Sequence, residues 1–180
     1  FWTFARNELA RGHFPLWTPH SLGGWSFPGF PHTACFYPLS VIFYLLPYEP
    51  ATTYNTLIHL IISALLMRRF LRGLEVSRFA SLLGALLWST GGLFFFYCTF
   101  LPLLWTIAWT PLFFDSARRW MSGGKFAHLA LFIIAGLLQF LGGSIESFFY
   151  EIIALALFLL VLCRTQSGEN PGRVMGLFLG

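Results

Sequence analysis

Long apolar runs, separated by short polar or basic connections, dominate the chain from residue 51 onward. A helix that crosses a bilayer needs about 20 mostly apolar residues. Five runs meet or nearly meet that length, at 51–71, 79–98, 101–120, 126–142 and 145–163. The pattern therefore predicts five spanning helices. Pro111 is expected to kink the third, because proline removes a backbone hydrogen bond inside a helix.

The stretch before these runs has a different pattern. Residues 12–39, here called the aromatic segment, are rich in Pro, Gly and aromatic side chains and almost uncharged. Their Pro and Gly spacing excludes a spanning helix. Residues 35–46 are too short to span, contain Pro38 and end before Pro47. They are predicted to form an interfacial or re-entrant helix.

The expected fold is all-α, a polytopic transmembrane helix bundle with an outer aromatic loop. Three regions follow: an extracytoplasmic loop with interfacial or re-entrant helices (1–50), a five-helix bundle (51–163), and a cytoplasmic loop that leads into a further helix (164–180). The chain begins at Phe1, without Met, and stops inside an apolar run. We expect a piece of a longer protein, or else a processed small subunit.

Composition agrees with a membrane class of protein. The chain is 57% hydrophobic and 10% charged, whereas soluble domains carry about 25% charged residues. The net charge of +4 comes from short basic clusters between the apolar runs. Such clusters are typical of membrane topology, and they do not indicate a nucleic-acid partner.

The basic clusters predict an orientation. They lie at 68–78, 118–125 and 164–173, whereas the alternate connections at 99–100 and 143–144 carry no Lys or Arg. Positive residues favour the cytoplasmic side. The pattern therefore predicts a multi-pass protein of the plasma membrane, with residues 1–50 outside. Arg6 and Arg11 are the exceptions to this distribution.

Several short motifs occur in an order that suggests a family. They are LARGHFPLWTPHSLGG from Leu9, FYPL from Phe36, HL at His59, RRFLRGLEVSR from Arg68, WTPL from Trp109 and GGSIE from Gly142. In this order and spacing the chain resembles the bacterial YfhO-like membrane proteins of the GT-C class of glycosyltransferases. The likeness covers about residues 6–163.

This resemblance implies an enzyme that transfers a sugar from a polyprenyl-phosphate donor to an acceptor on the outer face of the bacterial plasma (inner) membrane. In that class an acidic residue of the first outer loop acts as base or metal ligand. The only Asp in this chain is Asp115, expected at the cytoplasmic end of the third helix. The family position would precede Phe1. A catalytic carboxylate, with any divalent metal that it holds, would therefore come from outside this chain, or catalysis is lost.

The aromatic segment and its neighbours supply substrate-binding candidates. Each of them also has an interpretation without a role in substrate binding. Arg6 and Arg11 suit a donor phosphate, or they lie on an amphipathic surface helix. Trp17 could stack on a sugar or anchor the interface. The histidines His13, His20 and His32 follow no recognised metal-ligand spacing, so interfacial hydrogen bonding is favoured for them.

Two polar positions fall within the predicted spans. His59 and Glu151 lie at similar depths, about 12 and 10 Å from the outer side at 1.5 Å per residue. We predict a hydrogen-bonded pair between them, joined by Asn55, which either stabilises the packing of the helices or forms a substrate site. Glu146 begins the fifth helix and either complements its dipole behind a capping Ser144 or binds an acceptor hydroxyl or a metal.

Other residues have simpler interpretations. Asp115 is three and four residues before Arg118 and Arg119, which predicts a local ion pair. Cys35 and Cys98 fall near the same side, so a disulfide is allowed but not required. The competing function is a non-catalytic integral subunit that packs in a larger membrane complex. The expected partners are the lipid bilayer, a polyprenyl-phosphate sugar and other membrane subunits.

Overall fold

The computed structural model describes residues 2–19 and 23–166, and across them the fold is all-α with one very short hairpin. The helices are α1 (Trp2–Ala10), α2 (Val41–Leu45), α3 (Tyr48–Gly73), α4 (Arg78–Thr90), α5 (Gly92–Tyr97), α6 (Leu101–Ile107), α7 (Thr110–Met121), α8 (Phe126–Leu141) and α9 (Ile145–Gln166). Strands β1 (Trp17–Thr18) and β2 (Trp25–Ser26) pair antiparallel. The expected helix after residue 173 and Arg173 itself lie outside the described residues.

Two helices are long and apolar enough to cross a membrane by length and composition, α3 and α9. In α9 only 6% of the apolar window is buried inside the protein, and in α3 the share is 22%. The core helix of a soluble protein would be mostly buried. Helix α8 is apolar but shorter, with 16 residues.

The second expected span is not one helix. It divides at Gly91, which ends α4 and precedes α5 with an extended ψ of 159°. A side chain at Gly91 would lie 2.6 Å from the carbonyl oxygen of Leu87. Glycine therefore permits a break here that a larger residue would oppose. Helix α4 begins at Arg78, one residue before the expected start at residue 79. The Ser77 hydroxyl accepts from the Ala80 amide and caps the helix.

The third expected span is also divided, near Pro111. Helix α6 ends at Ile107 and α7 begins at Thr110, with Pro111 in its first turn. Proline has no N–H to donate to the Ile107 carbonyl and clashes with a continuing helix. The expected kink is thus a full interruption. The prediction of five continuous spans is not supported, whereas the all-α class is confirmed.

The expected helix over residues 35–46 is shorter than predicted. A 3-10 helix covers Pro38–Ser40 and continues into α2, which ends at Leu45. The missing N–H of Pro38 suits the first turn of a helix and explains the late start. Helix α1 packs against α2 and buries Trp2 and Ala5. The first turns of its apolar face are therefore covered by protein, whereas Leu9 is exposed.

Two apolar cores organise the fold. The first joins the N-terminal region to α3 and α6 around Trp2, Tyr37, Phe43, Leu104 and Trp105. The second lies between α7, α8 and α9 and includes Leu112, Phe113, Ala135 and Leu155. Helix α3 packs along α4 and α7, and α7 packs along α8. The aromatic segment is thus part of the first core.

The basic residues lie at helix ends more than in loops. Arg68, Arg69 and Arg72 belong to the last turns of α3, and Arg118 and Arg119 to the end of α7. The predicted Asp115 ion pair is confirmed, with 3.0 Å to Arg118 and 2.9 Å to Arg119. Arg69 also reaches Asp115, at 3.2 Å.

Candidate functional site

The Tyr37 hydroxyl joins the aromatic segment to a buried polar network. It lies 2.6 Å from Nε2 of His59 and 2.8 Å from Nε1 of Trp109. Local structure fixes this position, because the Ser40 hydroxyl donates to the Tyr37 carbonyl and the Asn55 side-chain amide donates to the Leu39 carbonyl. Tyr37 therefore connects the aromatic segment to α3 and to the α6–α7 break.

The donors and acceptors of this network fit one arrangement. Nδ1 of His59 lies 2.7 Å from the Asn55 carbonyl, and a carbonyl can only accept. Nδ1 therefore carries the proton, and Nε2 accepts from the Tyr37 hydroxyl. That hydroxyl in turn accepts from the Trp109 N–H. Burial raises the pKa of Tyr37 above its ordinary value, which keeps the donating proton on the phenol.

Asn55 and Trp105 extend the same network. The Trp105 N–H donates to the Asn55 side-chain oxygen at 2.5 Å. The Trp105 ring stacks on Tyr37 with centroids 5.1 Å apart and an interplanar angle of 15°. Trp105 is fully buried and belongs to the first apolar core. Trp109 is only partly buried.

Glu151 belongs to a second network. Its Oε1 accepts from the Thr110 hydroxyl at 2.6 Å, and its Oε2 accepts from the Gln139 side-chain amide. The Thr106 hydroxyl donates to the Gln139 carbonyl at 3.1 Å. The predicted His59–Glu151 pair is therefore wrong, because each residue is hydrogen-bonded to other groups. Similar depth along two helices did not place them on facing sides.

Two adjoining cavities lie next to the N-terminal helix. The larger, of about 350 Å³, is lined by Trp2, Thr3, His32, Tyr48, Thr99 and Phe100 among others. The smaller, of about 190 Å³, shares Trp2, Thr3 and Tyr48 and is lined also by Arg6 and Phe43. Two sequence candidates thus line these cavities, His32 the larger and Arg6 the smaller, and Trp2 lines both. Aromatic walls with a few polar groups are typical of small-molecule sites.

His32 is held in place by backbone from a distant part of the chain. Its Nδ1 donates to the Gly143 carbonyl at 2.8 Å, and its ring meets the edges of Phe30 and Phe100. Gly143 has φ +96°, and an added Cβ would lie 2.5 Å from the Pro31 carbonyl oxygen. Only glycine therefore fits where the α8–α9 turn meets the aromatic segment.

The remaining candidates in the N-terminal region do not line either cavity. Arg11 forms an ion pair with Glu8 at 3.0 Å, and His13 lies 3.8 Å from the same carboxylate. Trp17 is 58% exposed and its ring covers the backbone of Gly24, where a Cβ would lie 2.6 Å away. The structure does not bring these side chains together with Arg6 and His32.

The start of α9 is also separate from the cavities. Glu146 is exposed in the first turn, where a carboxylate complements the helix dipole. The Ser144 hydroxyl donates to the Ser147 hydroxyl at 3.0 Å, which is a side-chain contact across the first turn of α9.

The cysteines and histidines form neither a bridge nor a metal cluster in the described part of the chain. Cys35 and Cys98 are both free thiols. Among residues 2–19 and 23–166, no three His, Cys, Asp or Glu side chains group as metal ligands. His20 lies outside those residues, so the predicted role of that side chain is untested.

Sequence reasoning missed most partners of the buried polar residues. The partners that complete the two networks are Tyr37, Trp105, Trp109, Thr110 and Gln139. One signal was available, because a buried histidine or carboxylate needs hydrogen-bonding partners. The aromatic and hydroxyl side chains that could supply them were too numerous to choose among.

Comparison with known proteins adds no relative. No protein-family model, curated protein or solved structure matches the chain. The likeness to YfhO-like proteins stays a prediction based on short motifs, and function has to be inferred from the cavities and the buried networks.

Proposed function

We propose that this chain is an integral membrane protein. Support comes from the length and apolar character of α3 and α9 and from the low burial of α9. Large apolar side chains also face outward on the other helices, including Phe79 at 77% and Leu87 at 64% exposed. Such a surface costs about 25 cal/mol for each Å² left in water. The break between α6 and α7 is covered by protein, with Ala108 buried and Trp109 half-buried, as membrane proteins require of an interruption within the hydrocarbon.

The proposed orientation places the aromatic segment outside the cytoplasm. The arginines Arg68, Arg69, Arg72, Arg118 and Arg119 lie at the C-terminal ends of α3 and α7. The aromatic segment and the two cavities lie near the start of α3, at Tyr48. Basic residues favour the cytoplasmic side, so the cavities would open to the outer face of a bacterial plasma membrane.

For the activity, we propose that the chain binds a polyprenyl-phosphate sugar as part of a GT-C-type glycosyltransferase. The observation that carries this proposal is the pair of adjoining cavities that share Trp2. Arg6 offers a guanidinium of the kind that pairs with phosphate. Next to it, the larger cavity offers aromatic faces and the polar groups of His32 and Thr99. A volume of about 350 Å³ is at the lower end of the range for ligand sites, roughly 300–1,000 Å³, and suits one sugar ring.

The residues of the two cavities suit binding of the sugar donor, but they do not supply a catalytic base. The described residues that line the two cavities include no carboxylate. The general base or metal ligand of sugar transfer would therefore come from a segment or subunit outside this chain, as the family resemblance implies. His59 is unsuited to the role of base because both of its ring nitrogens are engaged in buried hydrogen bonds.

Binding to the purified full chain in lipid nanodiscs tests this proposal. The probes are undecaprenyl-phosphate glucose and undecaprenyl phosphate without the sugar. We expect Arg6→Gln to weaken both probes about tenfold, the loss typical of one charge-assisted hydrogen bond. Phe100→Ala should weaken the sugar-bearing probe selectively. The matched controls are Arg78→Gln and Phe79→Ala, because both residues are exposed on α4. Equal effects of the controls and the cavity variants would reject the proposal.

The alternative is a non-catalytic subunit of a membrane complex. The observation in its favour is that the buried polar network is engaged within the protein, with His59 and Trp109 both hydrogen-bonded to the Tyr37 hydroxyl. On this alternative, neither probe binds, and the cavity variants leave the activity of the purified complex unchanged. Truncating outward side chains of α9, such as Ile153→Ala with Leu160→Ala, would instead release the partner subunit.

A further inference from the structure

Three arginines surround one buried carboxylate where α3 and α7 meet. Asp115 Oδ1 faces Arg118 Nη2 at 3.0 Å and Arg119 Nε at 2.9 Å. Its Oδ2 faces Arg119 Nε at 2.9 Å and Arg69 Nε at 3.2 Å. The Asp115 side chain is 1% exposed. This arginine cluster, Arg69 with Arg118 and Arg119, carries a net charge of +2 after Asp115 is counted.

The carboxylate cannot satisfy the donors of the arginine cluster. A carboxylate accepts at about four lone-pair positions, and each guanidinium has five N–H donors. Both oxygens of Asp115 already face two nitrogens each. Among the described residues, Nε of Arg118 is buried and has no hydrogen-bond partner. A second anion is the group that this arrangement lacks.

The backbone leaves space for the cluster. An added Cβ at Gly73 would collide with Arg118 Nη2 and would lie 2.9 Å from Arg119 Nη2 and 3.0 Å from Asp115 Oδ1. Access is available from one side, since the side chains of Arg69 and Arg119 are 41% and 35% exposed, against 17% for Arg118. The remaining donors of Arg69 and Arg119 therefore lie at the protein surface, whereas Nε of Arg118 lies buried behind them.

The position along the helices indicates the source of the anion. Arg69 is about 31 Å along α3 from Tyr48 at 1.5 Å per residue, and the hydrocarbon core of a bilayer is about 30 Å thick. Exposed Trp120 and Met121 follow the cluster directly, and tryptophan prefers the level of the lipid headgroups. The cluster is therefore at the depth where lipid phosphates lie.

We propose that the arginine cluster binds the phosphodiester of an anionic membrane lipid at the face of the membrane opposite the two cavities. Arginine suits this ligand because its planar fork pairs with two phosphate oxygens at once. Asp115 positions the three guanidinium groups, and the lipid phosphate takes their remaining donors. This inference rests on the proposed membrane location but not on the proposed sugar transfer.

Thermal unfolding of the full chain in detergent tests the site. The additions are phosphatidylglycerol, phosphatidylcholine and inorganic phosphate at matched concentrations. We expect Tm to rise with phosphatidylglycerol alone. In Arg69→Gln, which leaves Asp115 paired with two arginines, half of the Tm shift should require at least about tenfold more phosphatidylglycerol. Arg68→Gln is the matched control, since Arg68 is the exposed neighbour on the same helix and lies outside the cluster.

Each other outcome overturns the proposal. An equal response to phosphatidylcholine would show that lipid charge is irrelevant, and an equal response to inorganic phosphate would show a site for soluble phosphate. Equal losses in Arg68→Gln and Arg69→Gln would show diffuse attraction without a site. Each shift is measured from the variant's own baseline, so a change in stability does not imitate a change in binding. Arg69→Gln should leave undecaprenyl-phosphate glucose binding unchanged and Arg6→Gln should leave the phosphatidylglycerol shift unchanged, so the two proposals fail independently.

Discussion

The hydroxyl of Tyr37 donates a hydrogen bond to Nε2 of His59 across 2.6 Å in the buried interior. Tyr37 belongs to the aromatic segment and His59 to α3, and they are 22 positions apart in sequence. Because Trp109 donates to the same hydroxyl, one atom joins three parts of the chain. The aromatic segment is thus fixed by a specific polar contact as well as by apolar burial.

Tyr37→Phe should lower stability while preserving the ring packing. The change leaves Nε2 of His59 and the N–H of Trp109 without their partner, and each unsatisfied buried group costs about 1–3 kcal/mol. Unfolding of the purified chain in detergent measures this loss. Tyr44→Phe is the matched control, since the Tyr44 hydroxyl makes a longer bond, 3.3 Å to the Cys35 carbonyl, in a half-buried position. Equal losses in the two variants would contradict a central role for Tyr37.

Gly143→Ala should detach the aromatic segment from the α8–α9 turn. Alanine pays about 1–2 kcal/mol for a left-handed backbone, and its Cβ would also press on the Pro31 carbonyl oxygen. Gly123→Ala isolates the backbone cost, because Gly123 has φ +79° with no atom within 4 Å of an added Cβ. We expect Gly143→Ala to lose about 1–3 kcal/mol more than the control. Protease cleavage within residues 12–39 should also be faster, and identical behaviour of the two variants would refute the contact.

Helix positions were predictable where the apolar pattern is continuous. Helices α3, α8 and α9 begin and end close to the expected residues because polar or turn-forming residues bound each run. The breaks at Gly91 and before Pro111 were missed or underestimated. Membrane helices tolerate glycine and proline, so these residues alone do not distinguish a straight helix, a kink and an interruption. The difference is set by tertiary packing.

The polar partners were the least predictable feature. Depth along a helix follows from residue counting, and it placed His59 and Glu151 at the same level. The direction that a side chain takes around the axis depends on how helices pack, and His59 faces Tyr37 whereas Glu151 faces Thr110. Asp115 was predictable because its two partners on α7 are local, while Arg69 on α3 was not.

Double-mutant cycles should separate the two polar networks. His59→Leu and Glu151→Leu should each destabilise the protein, and their coupling free energy should stay within about 0.5 kcal/mol because the two residues share no partner. Glu151→Leu combined with Thr110→Val should show coupling of about 0.5–3 kcal/mol, since these side chains are 2.6 Å apart. Unfolding in detergent gives all four states of each cycle. A coupling free energy well above 0.5 kcal/mol between His59 and Glu151 would contradict two separate networks and would support a direct pair.

Glu151 should tolerate an amide but not an apolar side chain. Glu151→Gln retains an oxygen that accepts from the Thr110 hydroxyl, whereas Glu151→Leu leaves Thr110 and Gln139 without their shared acceptor. We expect the leucine variant to lose about 1–3 kcal/mol more than the glutamine variant. Glu146→Leu is the control on the same helix, because Glu146 is exposed, and it should change stability by about 0.5 kcal/mol or less. Equal free energies of unfolding for Glu151→Leu and Glu151→Gln would contradict this assignment.

Labelling of single cysteines in intact bacterial cells should give the orientation. In a background where Cys35, Cys98 and Cys163 are replaced by serine, a cysteine at His13 or at Lys125 is placed at an exposed position. Basic residues near Lys125 favour the cytoplasm, so a membrane-impermeant maleimide should react with His13→Cys in intact cells. The same reagent should react with Lys125→Cys only after the membrane is permeabilised, and mass spectrometry of the purified protein measures both. The reverse pattern would invert the proposed topology, and reaction of both cysteines in intact cells would reject a membrane barrier between these two ends of the fold.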